Sequence, residues 1–123
     1  MMNVQTNQKL GYDCGYGWEK LIKKGERIVD LYNYFHPEME FPLDFSQIKE
    51  KWGGLCLHLN QYIPEVSEKI HKIEGKSYLY CEHCGSSKNV KTRPCHGWYM
   101  TLCDDCRKKE EERYKKYSKE FNI

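Results

Sequence analysis

The sequence predicts an α+β fold: a small antiparallel sheet with packing helices, a hairpin unit held by cysteines, and a charged C-terminal helix. Two Cys-x-x-Cys pairs, with eighteen residues between them, lie within Cys81–Cys106. Apolar residues recur at helical steps in two segments and alternate in a third, as in amphipathic helices and a half-buried strand. The second cysteine pair runs directly into a densely charged segment, so we expect a knuckle that leads into a helix.

Length and composition indicate one domain. The chain has 123 residues, enough for one modest core, and a core of this size gains from a bound metal. No stretch approaches the roughly 20 apolar residues of a membrane helix, so we expect no membrane association. The predicted parts are a loose lead-in, an α/β body, a knuckle and a charged helix, at residues 1–15, 16–75, 76–106 and 107–123.

The two cysteine pairs have the spacing of a structural zinc site. Zn²⁺ takes four thiolates at about 2.3 Å, and two short pairs joined by a hairpin supply that tetrahedral geometry. Disulfides are the alternative, but the opening MMNVQTNQKL is polar and the seven cysteines are an odd number, which favours a reducing compartment. The unit is predicted to be treble-clef-like or ribbon-like, and the helix after the second pair favours the treble clef. The predicted ligands of a structural Zn²⁺ are Cys81, Cys84, Cys103 and Cys106.

Other cysteines and histidines are weaker candidates. Cys95 and His96 could replace a ligand or bind a second metal, but four cysteines already close a structural site, so we treat both as bystanders. Cys56 and His58 would share one face of a strand, where a solvent-facing pair is the simpler interpretation. His83, inside the first knuckle, is expected to point to solvent.

The body is predicted to contain two helices. The first begins at Trp18 and ends at or before His36, because Pro37 follows. The second begins at Pro64, which suits a first turn, and ends at Gly75 as a C-cap.

The remaining segments are shorter. We expect a helical turn over Ile48–Trp52, which the following Gly-Gly breaks, and then a strand over Leu55–Leu59 by its alternation. SYLY before the first knuckle and GWYMTLC before the second are also predicted as strands. The charged helix has a narrow apolar stripe, so it could form a homodimer. That stripe consists of Tyr114, Tyr117 and Phe121.

One candidate binding surface surrounds the zinc unit. It mixes positive charge with rings on which bases could stack. The formal net charge of +2 falls to near zero once four thiolates and a divalent ion are counted, which weakens the case for nucleic-acid binding by bulk charge. The residues of this surface are Lys88, Lys91, Arg93, Trp98 and Tyr99.

Two segments, QIKEKWGGLCLHL and YCEHCG…GWYMTLCDDC, resemble a group of small bacteriophage and prophage proteins. That group carries a KEKFGGLRFY-like stretch followed by a zinc knuckle ending in G-W-x-x-T-L-C, and the match covers residues 47–106. This chain differs in having Cys56-Leu57-His58 in place of Arg-Phe-Tyr-like residues and Cys106 where the group often has histidine. The matching residues here are Lys49–Leu55, Cys81, Cys84, Gly97, Trp98, Thr101, Leu102 and Cys103.

The resemblance implies a phage accessory protein acting in the cytoplasm of a bacterial host. Such proteins commonly act by binding a host or phage protein, and inhibition of a host defence system is one such role. The abundant Tyr and Trp residues fit this prediction, because both are enriched at interface hot spots.

Two alternatives remain from other classes of function. One is binding of nucleic acid or a signalling nucleotide. The other is a degenerate HNH-like nuclease, with His96 near the position of a general base. However, only six residues separate His96 from Cys103, and Cys95 rather than an acidic residue precedes it. We therefore predict that the protein is not an enzyme.

Overall fold

The computed structural model describes residues 12–120, and within them helices and strands are mixed as predicted. Short 3₁₀ turns lie at Tyr16–Trp18 and Ser77–Leu79. The strands form two separate two-stranded antiparallel sheets, β1–β2 and β3–β4. The α+β class is confirmed. The elements are α1 (Glu19–Phe35), β1 (Phe45–Lys51), β2 (Gly54–Leu59), α2 (Pro64–Lys76), β3 (Val90–Cys95), β4 (Trp98–Cys103) and α3 (Asp104–Glu120).

The main core lies between α1, α2 and the β1–β2 sheet. Trp18 is fully buried at its centre, and its indole N–H donates to the carbonyls of Ser77 and Tyr80 at 3.1 and 3.0 Å. Gly25 in the middle of α1 is buried, since a Cβ there would meet Phe45 at 3.3 Å and Leu57 at 3.4 Å. The glycine that lowers helix propensity therefore lets α1 approach the sheet closely.

The edge of β2 that does not pair with β1 is covered by the end of α2. The backbone N–H of Leu55 donates to Ser77 Oγ at 2.9 Å, and that of Leu57 donates to Glu74 Oε2 at 2.8 Å. Ser77 Oγ also donates to the Glu74 carbonyl, so the chain continues α2 as a 3₁₀ turn. The predicted SYLY strand is therefore wrong, and α2 itself runs through Gly75 to Lys76.

The predicted helical turn over Ile48–Trp52 is also wrong, because these residues belong to β1 and to the tight turn after it. Ile48 pairs with Leu57, and the chain reverses at Trp52-Gly53. Both turn residues have positive φ, 55° for Trp52 and 85° for Gly53. This is the type I′ geometry, whose twist matches that of antiparallel strands.

Residues 12–15 fall in the predicted loose lead-in but are firmly packed. Asp13 forms a parallel bridge with Lys49, its N–H donates to the Ile48 carbonyl at 2.9 Å, and its carbonyl accepts from Glu50. Cys14 is buried in the main core. Residues 1–11 lie outside the described part of the chain.

The C-terminal part has the order knuckle, hairpin, helix. The Cys81–Cys84 turn leads into β3 and β4, and β4 passes directly into α3. This is the treble-clef-like arrangement favoured by the sequence. The charged helix begins at Asp104, three residues before the predicted boundary, and residues 121–123 lie outside the description. Over residues 12–120, no helix combines the length and apolar character needed to span a membrane.

The two sheets meet where the β1–β2 turn touches the β3–β4 hairpin. Thr101 Oγ1 donates to the Gly53 carbonyl at 2.5 Å and lies 2.7 Å from Thr92 Oγ1. A Cβ on Gly53 would meet Thr92 at 2.9 Å, and one on Gly54 would meet the Tyr78 hydroxyl at 2.3 Å. The Gly-Gly pair therefore serves close packing as well as turn geometry.

Replacing Gly17 by alanine is expected to lower the free energy of unfolding by about 3 kcal/mol, the upper part of the range for overpacking. The added Cβ would lie 2.0 Å from the Cys81 carbonyl oxygen and 2.5 Å from that of Glu82. Gly75→Ala is the matched control, since a Cβ there has nothing within 4 Å. It should stabilise α2 by up to about 1 kcal/mol. Urea denaturation followed by circular dichroism measures both, and equal stabilities would contradict the packing described.

Candidate metal centre and aromatic cleft

The four predicted ligands converge on one point. The Sγ atoms of Cys81, Cys84, Cys103 and Cys106 all lie within 4.8 Å of one another, and none of the four is in a disulfide. Cys84 Sγ and Cys103 Sγ are 3.7 Å apart. Four sulfurs at 2.3 Å from a tetrahedral ion lie about 3.8 Å apart, whereas a disulfide needs about 2.05 Å. The cluster therefore fits a metal ion and not a disulfide.

The first pair is held by a tight turn. Gly85 N–H donates to the Cys81 carbonyl at 2.8 Å, and Cys81 N–H donates to the Ser86 carbonyl at 2.8 Å. Gly85 has φ +80°, a conformation that residues with a side chain rarely adopt, and a Cβ there would lie 3.1 Å from the Gly17 carbonyl oxygen. The Cys-x-x-Cys-Gly sequence thus closes the knuckle locally.

The second pair straddles the start of α3. Cys103 ends β4, and Cys106 lies in the first turn of the helix, where its N–H donates to Cys103 Sγ at 3.4 Å. Burial acts to raise the pKa of Cys103, but hydrogen bonds from Cys106 and the other cluster thiols lower it overall. Burial raises the pKa of Cys84 and of Cys106. Metal binding should therefore release protons and strengthen as pH rises.

The centre of the knuckle is docked on the rest of the molecule through Glu82. Its N–H donates to the Thr101 carbonyl at 2.9 Å, and its carbonyl accepts from Gly17 N–H at 2.7 Å. The buried carboxyl group accepts from Gly15 N–H at 3.0 Å. Burial raises the pKa of Glu82 to about 7. The metal cluster is therefore tied to the N-terminal segment as well as to β4.

His83 is buried, so the expectation that it points to solvent is wrong. Its Nε2 has no hydrogen-bond partner among residues 12–120. Burial, helped by the positive charge of Arg113, lowers its pKa to about 4, which keeps the ring neutral. Packing of α3 over the knuckle is the physical reason, because this helix carries Arg113 and the buried Glu110.

Cys95 and His96 lie outside the metal cluster, as predicted. Cys95 is buried with Met100 and Leu102 in a second small core beside the four cysteines. His96 is at the tip of the β3–β4 hairpin with φ 57°, and its ring stacks on that of Tyr114 with centroids 3.7 Å apart. This contact fixes the hairpin tip against α3.

Cys56 and His58 share one face of β2, as predicted, and they touch. Cys56 Sγ lies 3.2 Å from His58 Nε2. Burial, followed by the charge of Glu74, raises the pKa of the Cys56 thiol despite the nearby Lys49 and Lys51. This direction is opposite to the lowered pKa that is typical of a nucleophilic cysteine.

The predicted binding surface is divided by the strand register. Its five residues, Lys88, Lys91, Arg93, Trp98 and Tyr99, are all exposed. Lys91 and Arg93 pair with Leu102 and Met100, two residues of the second core. Tyr99 alternates along β4 with Met100 and Leu102, so it lies on the opposite face, with Thr101. Tyr99 is therefore separated from Lys91 and Arg93, whereas Trp98, which pairs with Cys95, shares their face.

An aromatic cleft lies between the two hairpin tips, where Trp98 and Tyr99 of the predicted surface meet Trp52, which the sequence analysis missed. Trp52 is 71 % exposed, Trp98 51 % and Tyr99 46 %. The Trp52 and Tyr99 ring centroids are 6.4 Å apart with the planes inclined at 64°. The sequence signal that could have indicated the cleft is a tryptophan directly before Gly-Gly, because a side chain in such a tight turn cannot reach the core. The aromatic cleft has a volume of about 420 Å³ and is lined by Glu50, Lys51, Trp52, Gly97, Trp98 and Tyr99.

Comparison of the chain with protein-family models, curated proteins and solved structures found no match.

Replacing Cys81 by serine should abolish stoichiometric metal binding and unfold the knuckle, because the energy of binding a structural metal is also folding energy. Loss of the knuckle also removes the Glu82 acceptors of the Gly15 and Gly17 N–H groups, so the N-terminal segment should lose order. Metal analysis and thermal unfolding monitored by circular dichroism measure both effects. Cys56→Ser, outside the cluster, is the control and should keep its metal. Unchanged melting of the Cys81→Ser protein would contradict a structural role for the metal.

Proposed function

We propose that the four-cysteine cluster holds a structural Zn²⁺. An all-thiolate tetrahedral set is typical of structural zinc, which needs no open coordination position. The N–H···S contact within the cluster supports this, since such bonds stabilise coordinating thiolates. Iron also binds four thiolates in tetrahedral geometry, so the metal must be identified by experiment.

The purified protein is expected to carry one equivalent of zinc by elemental analysis, with no visible absorption. Replacement by Co²⁺ should give the strong visible bands of a tetrahedral thiolate site, and Cys103→Ser should remove them. A coloured, iron-containing protein would contradict the zinc assignment while leaving the four-cysteine geometry intact.

We further propose that the protein acts by binding another protein through the aromatic cleft. The observation that carries this proposal is Trp52, a bulky residue held at φ 55° with most of its ring in solvent. Such a conformation is costly for a bulky side chain, and strained, exposed residues cluster at functional sites. Asparagine or glycine would suit this turn better. The presence of tryptophan there is explained if its ring contacts a partner.

The partner is proposed to be a host or phage protein in the bacterial cytoplasm, with inhibition of a host defence system as one such role. This part of the proposal rests on the resemblance to phage accessory proteins through KEKWGGL and the zinc knuckle. Both segments contribute to the aromatic cleft: Trp52 comes from the first, and Trp98 and Tyr99 come from the second.

The positions of the basic residues favour protein binding over nucleic-acid binding, and the position of His96 favours it over nuclease activity. Lys88, Lys91 and Arg93 do not line the aromatic cleft, so the cleft itself does not combine these phosphate-binding side chains with its rings, and only Trp98 shares a strand face with Lys91 and Arg93. The His96 ring is stacked on Tyr114, which disfavours a role as a general base. Homodimer formation through α3 stays a prediction.

Trp52→Asn should preserve or raise the melting temperature, because asparagine is favoured at positive φ in a type I′ turn, and should abolish partner capture. The measurement is affinity purification from bacterial lysate treated with nuclease, followed by identification of stoichiometric proteins. Trp98→Ala should also lose the partner.

Tyr62→Ala is the control, because this tyrosine is 77 % exposed but does not line the aromatic cleft. It should retain the partner. A protein captured equally by Trp52→Asn and wild type, or lost only with Tyr62→Ala, would contradict the aromatic cleft as the binding site.

A further inference from the structure

We propose that the aromatic cleft recognises an alkylammonium group, that of a lysine or methylated lysine side chain on the partner protein. This inference rests on the proposed protein-binding function and names the chemical group that the cleft binds. The features that support it are the angle between the rings, the rigidity of their attachment and the charge of Glu50.

The ring geometry suits a compact cation better than a flat ligand. The Trp52 and Tyr99 planes meet at 64°, so a nucleobase stacked on one ring would turn its edge toward the other. Sandwiching a base between two rings requires nearly parallel planes. A rounded ammonium group can face both, and the 6.4 Å between centroids lets it lie within the roughly 6 Å over which cation–π attraction acts.

The rings are attached to backbone that is already fixed. The Trp52-Gly53 turn is held by the hydrogen bond from Thr101 Oγ1 to the Gly53 carbonyl. Tyr99 lies on β4, paired with Pro94. Because each ring has few rotatable bonds and a fixed anchor, binding a cation would order little of the protein.

The carboxylate of Glu50 supplies the complementary charge. Its Oε2 accepts from Gly53 N–H at 2.8 Å, which fixes its position at the wall of the aromatic cleft. Its other oxygen has no hydrogen bond to any residue within 12–120. Lys51 is the only cationic residue among those lining the cleft in this part of the chain. Because Glu50 and Lys51 carry opposite charges, removing each charge in turn tests the sign of the charge on the ligand.

The first measurement compares choline with 3,3-dimethyl-1-butanol, which has the same shape but carries carbon in place of the charged nitrogen. Each is titrated into ¹⁵N-labelled wild-type protein while the three tryptophan indole N–H resonances are followed. The Trp52 and Trp98 resonances should shift with choline, at an affinity at least about tenfold above that for the alcohol. The Trp18 indole is buried and hydrogen-bonded to Ser77 and Tyr80, so it is the internal reference and should not move.

Two charge variants then test the sign. Glu50→Gln keeps an oxygen that can accept from Gly53 N–H but removes the negative charge, so it should weaken choline binding several-fold. Lys51→Gln removes a repulsive charge and should strengthen choline binding several-fold. Trp52→Asn should abolish the shift of the Trp98 resonance.

Specific outcomes would overturn the inference. Equal affinity for choline and the alcohol would show that the aromatic cleft is merely apolar. Adenosine monophosphate binding more tightly than choline, and more weakly after Lys51→Gln, would indicate a nucleotide site. If a partner is captured through Trp52 but neither choline nor a trimethyllysine peptide competes with it, protein binding stands and the ammonium inference fails. If choline binds as expected but no partner is captured, the chemistry of the cleft stands and the proposed function fails.

Discussion

The position of four sulfur atoms is the constraint on which the rest of the structure depends. Cys81 and Cys84 fix the knuckle, and Glu82 within it holds two other parts of the chain, the N-terminal segment and β4. Glu82 alone contacts Thr101 of β4, Gly17 through its carbonyl and Gly15 through its carboxyl group. A metal bound at this point would do more than close a local loop. It would order the surface against which the N-terminal segment folds, in a protein whose β3–β4 core contains few apolar side chains.

The two hairpin tips have the same turn geometry but pack on different parts of the molecule. Both hairpins reverse through two residues with positive φ, Trp52-Gly53 and His96-Gly97. One tip rests on the face of β3–β4 that carries Thr92 and Thr101, while the other stacks on Tyr114 of α3. Gly53 brings the β1–β2 turn against the side chains of Thr92 and Thr101, and the Trp52 ring beside it stays in solvent. Smaller residues could form the same tight turns. The exposed rings of the cleft therefore call for a functional explanation.

Local patterns predicted much of this fold, and long-range contacts account for the parts that were missed. Cysteine spacing identified the four-cysteine cluster, and helical periodicity located α1 and α2, because both depend on residues near one another in sequence. The prediction for β1 was wrong because Ile48 is its only buried apolar residue, and pairing with β2 rather than its own pattern defines the strand. Ser77 was misread because its hydroxyl bonds to Leu55, which no local rule reveals. The aromatic cleft draws on two hairpins more than forty residues apart in the chain, so neither sequence segment alone indicates it.

The docking of Gly17 and Trp18 onto residues 77–82 sets the order in which the protein can mature on the ribosome. Trp18 finds its hydrogen-bond acceptors only after Ser77 and Tyr80 have been made, about 60 residues later. At ordinary synthesis rates of about 5–20 residues per second, the delay is about 3–12 seconds. Throughout that interval the largest core side chain has no finished pocket, and the last cysteine of the cluster has yet to emerge. Completion of the fold is therefore a late event, and a metal ion could be enclosed by all four cysteines only at its end.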